Sequence, residues 1–308
     1  MSRCDHSLVR MSVSFEPITN NHQIASDNSV VVRVTNASKT FSGSRRALNG
    51  VSFAAQRGER IALLGASGSG KSTVLRSVCG LETLDAGAGK IEAFGRILQQ
   101  EGRNSTDIRA LRRQVGIIFQ QFNLVGRLPV MTNVLAGLAA ELPVWRALLG
   151  RFSLTERARA LDALESMGLS EQAFQRASTL SGGQQQRAAI ARVLVQGASL
   201  LLADEPVASL DPESTRRVMD LLLKLNADHG MTLIISLHHV VIAQQYCQRV
   251  IALRDGELVF DGPTAALTPA FLRDLYGSAV DELLDSEPLR AVAAPAPDFR
   301  HLKLAAAA

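Results

Sequence analysis

The sequence predicts an α/β fold, a mainly parallel sheet covered by helices on both faces. Three observations lead there. Short apolar runs alternate with helical patterns along most of the chain. One of these runs opens directly into a glycine-rich loop and then a helix. The stretch from Phe122 to Thr179 breaks the alternation, with little strand character and several helical patterns.

Taken in order, residues 1–28 are polar and without sustained periodicity, so they are expected to form a tail and not a core element. Residues 30–34 (VVVRV) are a β-branched run and the first expected strand. Residues 60–64, 115–119, 199–203, 232–237 and 249–253 are further apolar runs of the kind buried on both faces of a parallel sheet. Between them, residues 72–79 read as a helix stopped by Gly80, and residues 185–195 as a helix stopped at Gln196-Gly197. Asp211-Pro212 is a helix start, a side-chain cap followed by a preset φ. Within the insertion, Leu161, Leu164 and Met167 recur at helical spacing across residues 154–167. No internal repeat appears, and residues 291–308 are an Ala/Pro-biased tail.

Composition bounds the function classes. The 308 residues are 46% hydrophobic and 20% charged, which suits a globular chain and excludes a disordered or collagen-like one. Cys4, Cys79 and Cys247 stand far apart with no C-x-x-C pair, against a disulfide framework or a structural zinc site. Apolar runs are too short for a membrane-spanning helix, and no apolar core follows Arg3 and Arg10 as a secretory signal requires. A net charge of +4 is compatible with anionic ligands but too small for a nucleic-acid binder.

Three constellations carry chemistry. Gly65-Ala66-Ser67-Gly68-Ser69-Gly70-Lys71-Ser72 fits G-x-x-x-x-G-K-[ST] between an apolar strand and a helix. Glycines let successive N–H groups curl toward phosphate oxygens, and the helix N-terminus adds positive potential. Lys71 would reach the β and γ phosphates, Ser72 would offer a hydroxyl to Mg²⁺, and Thr73 would meet the α phosphate. The alternative is a glycine-rich turn without a ligand. Second, the run 200–203 ends in Asp204-Glu205, whose adjacent side chains diverge and so can do different work. Asp204 suits a Mg²⁺ shell and Glu205 the activation of a water; a solvated loop start is the bland alternative. Third, Ser181-Gly182-Gly183-Gln184 opens a second helix with a glycine-rich start, either another anion cradle or simply a cap.

Together these motifs resemble the ATP-binding cassette (ABC) ATPases, over roughly residues 30–262. The resemblance implies a P-loop NTPase fold with a RecA-like core, an antiparallel β subdomain and an inserted α-helical subdomain. It implies an ATPase module over residues 29–276, a helical subdomain at about 122–180, and tails at 1–28 and 277–308. It further implies head-to-tail pairing of two copies, with ATP and Mg²⁺ between the loop of one and Ser181, Gly182, Gly183 and Gln184 of the other. Family positions map onto Gln120 as a Mg²⁺ contact (Gln121 being its neighbour), Asp211 at the dimer interface, and His238 at the γ-phosphate. His239 follows at a position often Asp in the family, leaving the choice between the two histidines open. Phe41 matches the adenine-stacking aromatic, with a core phenylalanine as its alternative.

Finer stretches are similar to the ATPase subunits of phosphonate importers: residues 118–125 (IFQQFNLV), Arg127-Leu128, residues 133–135, 145–152, 203–212, 236–238, 246–247, 251–256 and 259–262. That likeness implies an ATP-hydrolysing importer subunit at the cytoplasmic face of the inner membrane. Its partners would be a second copy, integral membrane permease subunits and a periplasmic phosphonate-binding protein, with no nucleic acid. Trp145 is either an anchor for such a permease or a satellite-core residue. The alternatives are another cargo, lipoprotein extraction, or a soluble ABC ATPase without transport.

Overall fold

The computed structural model describes residues 29–42 and 45–277. The N-terminal part runs β1 (Val30–Phe41), β2 (Arg45–Gln56), β3 (Arg60–Leu64), α1 (Lys71–Val78), β4 (Lys90–Ala93), β5 (Arg96–Gln100) and β6 (Arg103–Asn104). The middle runs α2 (Ile108–Arg113), β7 (Val115–Ile118), α3 (Val130–Leu135), α4 (Val144–Leu148), α5 (Leu154–Ser166) and α6 (Gly182–Gln196). The remainder is β8 (Leu200–Ala203), α7 (Pro212–His229), β9 (Thr232–Ser236), α8 (Val240–Tyr246), β10 (Arg249–Arg254), β11 (Glu257–Pro263) and α9 (Pro269–Tyr276).

One sheet has the order β11-β10-β3-β9-β8-β7, with β10, β3, β9, β8 and β7 parallel and β11 antiparallel at the edge. Each parallel strand is apolar on both faces because each face meets a different core. Ile61 and Leu63 of β3 point into one core with Leu200, Leu202, Ile234 and Ile251. Ala62 and Leu64 point into the other, with Leu201, Ala203, Leu233, Ile235 and Val250. Period-2 alternation thus sorts one continuous apolar run onto two sides. The first core also takes α1 and the second sheet, β2-β1-β4-β5-β6, which is antiparallel throughout. The other core holds the helices of the insertion together with α6 and α7.

Every apolar run read as a strand is one, within a residue or so at its end. The exception is the first, which extends from Val30 to Phe41 and pairs with the unread β2. Expected helix limits shift slightly: α1 starts at Lys71, and α6 starts at Gly182 directly behind Ser181. Gly197 does stop α6 in a left-handed conformation (φ 71), and Asp211 caps α7 with Pro212 behind it. Between Phe122 and Thr179 lie α3, α4, α5 and short 3-10 turns, and no named strand among the described residues. The expectations for residues 1–28 and 278–308 lie outside the described residues. No helix of the described residues is long and apolar enough to cross a membrane.

This topology sets the site. The chain leaves β3, β7, β8 and β9 at one and the same edge, their C-terminal ends, where open α/β sheets bind ligands. The glycine loop follows β3, Gln120 follows β7, Asp204 follows β8 and His238 follows β9.

Candidate nucleotide site

The loop of residues 65–72 needs glycine at two places for reasons of contact. Gly65 has φ 142, and a Cβ there would lie 2.2 Å from the Leu253 carbonyl oxygen. Gly70 has φ 107, and a Cβ there would lie 2.5 Å from the Ala47 carbonyl oxygen. Both positions are closed to any L side chain. The loop is pinned from behind, since Gly256 N–H donates to the Ser69 carbonyl at 3.1 Å. Inside it, Lys71 Nζ donates to the carbonyls of Gly65 (2.6 Å) and Ala66 (3.1 Å). Lys71 is only 4% exposed. Burial lowers its pKa from the ordinary lysine value, while the carboxylates of Glu205 and Asp204 work in the opposite sense.

The acidic pair diverges as its place at a strand end requires. Asp204 Oδ1 accepts hydrogen bonds from Ser72 Oγ (2.9 Å) and Ser236 Oγ (3.0 Å), and so faces the loop. Glu205 takes the left-handed backbone region (φ 49), a costly conformation for a residue with a Cβ. Its N–H is held by Ser236 Oγ at 2.8 Å. That twist turns the Glu205 carboxylate onto His238, with Oε1 2.6 Å from Nε2. One serine therefore ties both acidic residues, donating its hydroxyl proton to the Asp204 carboxylate and accepting the Glu205 backbone N–H on its lone pair.

These groups meet in one cavity of about 560 Å³, lined by Phe41, Ser67, Gly68, Gly70, Lys71, Ser72, Thr73, Gln120, Glu205 and His238, with Ser42 and Ala47. Phe41 is 39% exposed, too open for a core residue, and Lys39 Nζ stands 5.3 Å from its ring centroid. His239 is exposed and begins α8 without lining the cavity, so the geometry favours His238 of the two. Gln120 is followed by an unusual bend, Phe122 (φ 57) and Asn123 (φ 48). Arg192 of α6 clamps it, donating to the carbonyls of Phe122 (3.0 Å) and Asn123 (2.9 Å).

The second glycine-rich helix start lies elsewhere. Ser181 Oγ accepts from Gln184 N–H, and Gln184 Oε1 accepts from Ser181 N–H, a complete capping box. Ser181, Gly183 and Gln184 line a separate pocket of about 150 Å³ with Arg187, Ser214 and Arg217. Gly182 packs near Leu210 and Gly183 near Ser214. Asp211 belongs to this side too. Its Oδ1 accepts from Ser214 N–H at 2.9 Å, and the Ser214 hydroxyl first, with this N–H second, holds its carboxyl below the usual range. The structure brings the expected site residues together in two groups, not one.

The residues present fit a triphosphate and Mg²⁺. Ser69 Oγ is buried with no protein partner, inside a loop that admits no side chain at Gly65 or Gly70. Ser72 and Asp204 already hold two hard oxygens side by side, and Gln120 faces the same cavity. Among the described residues no three His, Cys, Asp or Glu side chains form a protein-only metal cage. A Mg²⁺ that keeps waters and phosphate oxygens as ligands needs none. Sequence reasoning missed Ser236 as the residue that ties Asp204 to the backbone of Glu205; a hydroxyl at the C-terminal end of the mostly apolar run 232–237 was its signal.

Comparison with known proteins shows the family. The family profile described as ABC transporter matches residues 48–208. The phosphonates import ATP-binding protein PhnC 2 of Cupriavidus necator is 56% identical over 280 residues, spanning 90% of this chain and 99% of that protein. The corresponding PhnC protein of Paraburkholderia xenovorans is 56% identical over 254 residues, 82% of this chain and 84% of that one. Among solved structures, the dimeric bacterial ABC transporter cassette MJ0796 superposes with a TM-score of 0.67 at 32% identity, over 77% of this chain and all of that one. The same cassette bound to ADP and Pi in a post-hydrolysis state gives 0.65 at 33% identity, over 77% of this chain and 100% of that one. The chain belongs to the ABC transporter family, as one of its ATP-binding subunits.

Proposed function

We propose that this chain is the ATP-hydrolysing subunit of an ABC importer, coupling ATP binding and hydrolysis in a head-to-tail homodimer to phosphonate uptake. The observation that carries the catalytic part is the single cavity in which Lys71, Ser72, Gln120, Glu205 and His238 converge. The cargo rests on the likeness to the phosphonate import proteins. The ATPase module is residues 29–276, with residues of about 122–180 as its helical subdomain.

Each residue has a task that its position permits. Backbone N–H groups of residues 66–72 and the Lys71 ammonium would hold the β and γ phosphates of ATP, Thr73 the α phosphate, and Phe41 the adenine face. Glu205 would orient a water and take its proton as it attacks the γ-phosphorus. His238 holds the Glu205 carboxylate now and would touch the γ-phosphate when ATP is present. Ser72, Asp204 and Gln120 would hold Mg²⁺, which when bound neutralises phosphate charge. The partner's Ser181, Gly182, Gly183 and Gln184, with Asp211 nearby, would close over the same nucleotide. An ATP that touches both copies binds the closed pair better than the open one, and that difference is what moves the equilibrium. Closure would reach integral membrane permease subunits through Gln120 and the helical insertion, and hydrolysis would reopen the pair. The chain would act at the cytoplasmic face of the inner membrane, in a system with a periplasmic phosphonate-binding protein.

Gene deletion tests this reading. Growth on a phosphonate as sole phosphorus source should fail in the deletion strain and return with the wild-type gene but not with Glu205→Gln. Purified Glu205→Gln should lose at least about a hundredfold in turnover, the scale of a general base. Normal growth of the deletion strain on phosphonate would reject the cargo; undiminished turnover by Glu205→Gln would reject the mechanism.

A further inference from the structure

The back of the glycine loop is built by the C-terminal end of the described chain. Gly65 is the first residue beyond β3, where the backbone turns away from the sheet. A buried backbone N–H at such a point needs an acceptor. It finds one far along the sequence, the phenol oxygen of Tyr276, at 3.0 Å. The carbonyl of the same Gly65 takes the Lys71 ammonium at 2.6 Å. A single residue therefore joins Tyr276 on one side to the phosphate-binding lysine on the other.

The helix that carries Tyr276 is firmly seated. Thr268 caps α9, its Oγ1 accepting from Phe271 N–H at 3.1 Å, and Pro269 presets the first turn. Leu272 and Leu275 are buried, Phe271 packs against Phe260 with centroids 5.1 Å apart, and Asp274 accepts from Arg254 Nη1 at 2.8 Å. Tyr276 is the last residue of the helix and half-buried. Burial pushes its phenol up to about 12, so it stays protonated and neutral across the physiological range. The Leu253 carbonyl lies where a Cβ on Gly65 would fall, so this residue must stay glycine, and its N–H is held by the Tyr276 hydroxyl.

We infer that Tyr276 is a positioning residue for ATP binding: from α9 it fixes the exit of β3, so that the Gly65 carbonyl holds the Lys71 ammonium in place to meet the phosphates. The inference rests on reading residues 65–72 as the ATP loop. It adds α9 to the nucleotide site, beyond the stretch in which the sequence motifs lie.

The test uses the full-length protein and Tyr276→Phe, which keeps the ring and removes only the acceptor. Hydrogen exchange at the Gly65 amide should quicken, and the Kd for ATP with Mg²⁺ should rise about three- to tenfold, the value of one hydrogen bond. The kcat at saturating ATP should stay within about twofold, because the interaction is already present before the transition state. Tyr246→Phe is the control for a merely structural tyrosine. Its hydroxyl bonds Asp220 at 3.1 Å away from the loop, so its loss should leave ATP affinity alone. Gly65 exchange unchanged in Tyr276→Phe, or an ATP Kd within twofold of wild type, overturns the inference. So does an equal loss of affinity in Tyr246→Phe. Lys71→Ala keeps the two readings apart: if it binds ATP as wild type does, the loop assignment falls, while the Gly65 exchange result still stands or falls on Tyr276.

Discussion

Lys71 shows how much of the chemistry resides in single side chains and how much in what surrounds them. Its type and place in the loop were legible at once, since a cation must follow the glycines if phosphate is the ligand. Its burial was not, because the residues that share its cavity, Phe41, Gln120, Glu205 and His238 among them, lie far apart in sequence. Burial has a consequence with a definite sign. A lysine with a lowered pKa gives up its proton at lower pH than usual, so the charge proposed to attract ATP is lost early on the alkaline side. In the nucleotide-free protein, the ¹³Cε resonance of Lys71 should titrate with a midpoint below 10.5, and ATP affinity should weaken through the same range. A midpoint at or above 10.5 would mean that the neighbouring carboxylates outweigh desolvation.

At the scale of elements, legibility follows the kind of burial. The parallel strands announced themselves because both faces are dry and the apolar run is unbroken, as in Leu200–Ala203. The antiparallel sheet did not. In β2, Arg45–Gln56, the apolar residues come in uneven groups interrupted by Asn49-Gly50, and its pairing with β1 shifts register several times. Neither a continuous apolar run nor a strict alternation marks it in the sequence. The clamp of α6 on the bend after Gln120 was equally hidden, since Arg192 reads as a solvated helix arginine until the fold places it. Two left-handed residues, Phe122 and Asn123, survive because their carbonyls are held. Arg192→Ala should lower the unfolding free energy by about 2 kcal/mol in a urea titration, the worth of charge-assisted hydrogen bonds left unmade. It should also cut turnover about tenfold with ATP affinity within about twofold, because the loop loses its tie to the helix that Ser181 opens. Unchanged stability and turnover would show that the bend holds itself.

For the whole molecule, the decisive fact is a separation. The loop with Glu205 and His238 forms one cavity, and Ser181, Gly183 and Gln184 line another. If both helix starts bind the same nucleotide, as proposed, two starts that do not share a pocket within one chain can share it only between two chains. The motifs made both legible, and the family resemblance supplied the pairing; the fold adds that the two are disjoint. The most direct test measures the mass of Glu205→Gln by light scattering with ATP and Mg²⁺, alone and combined with Ser181→Arg. The account predicts a species of about twice 33.1 kDa for the single variant. It predicts a monomer for the double variant that still binds ATP through Lys71. A double variant that pairs as readily as the single one would contradict it, and so would an ATP-loaded single variant that stays monomeric.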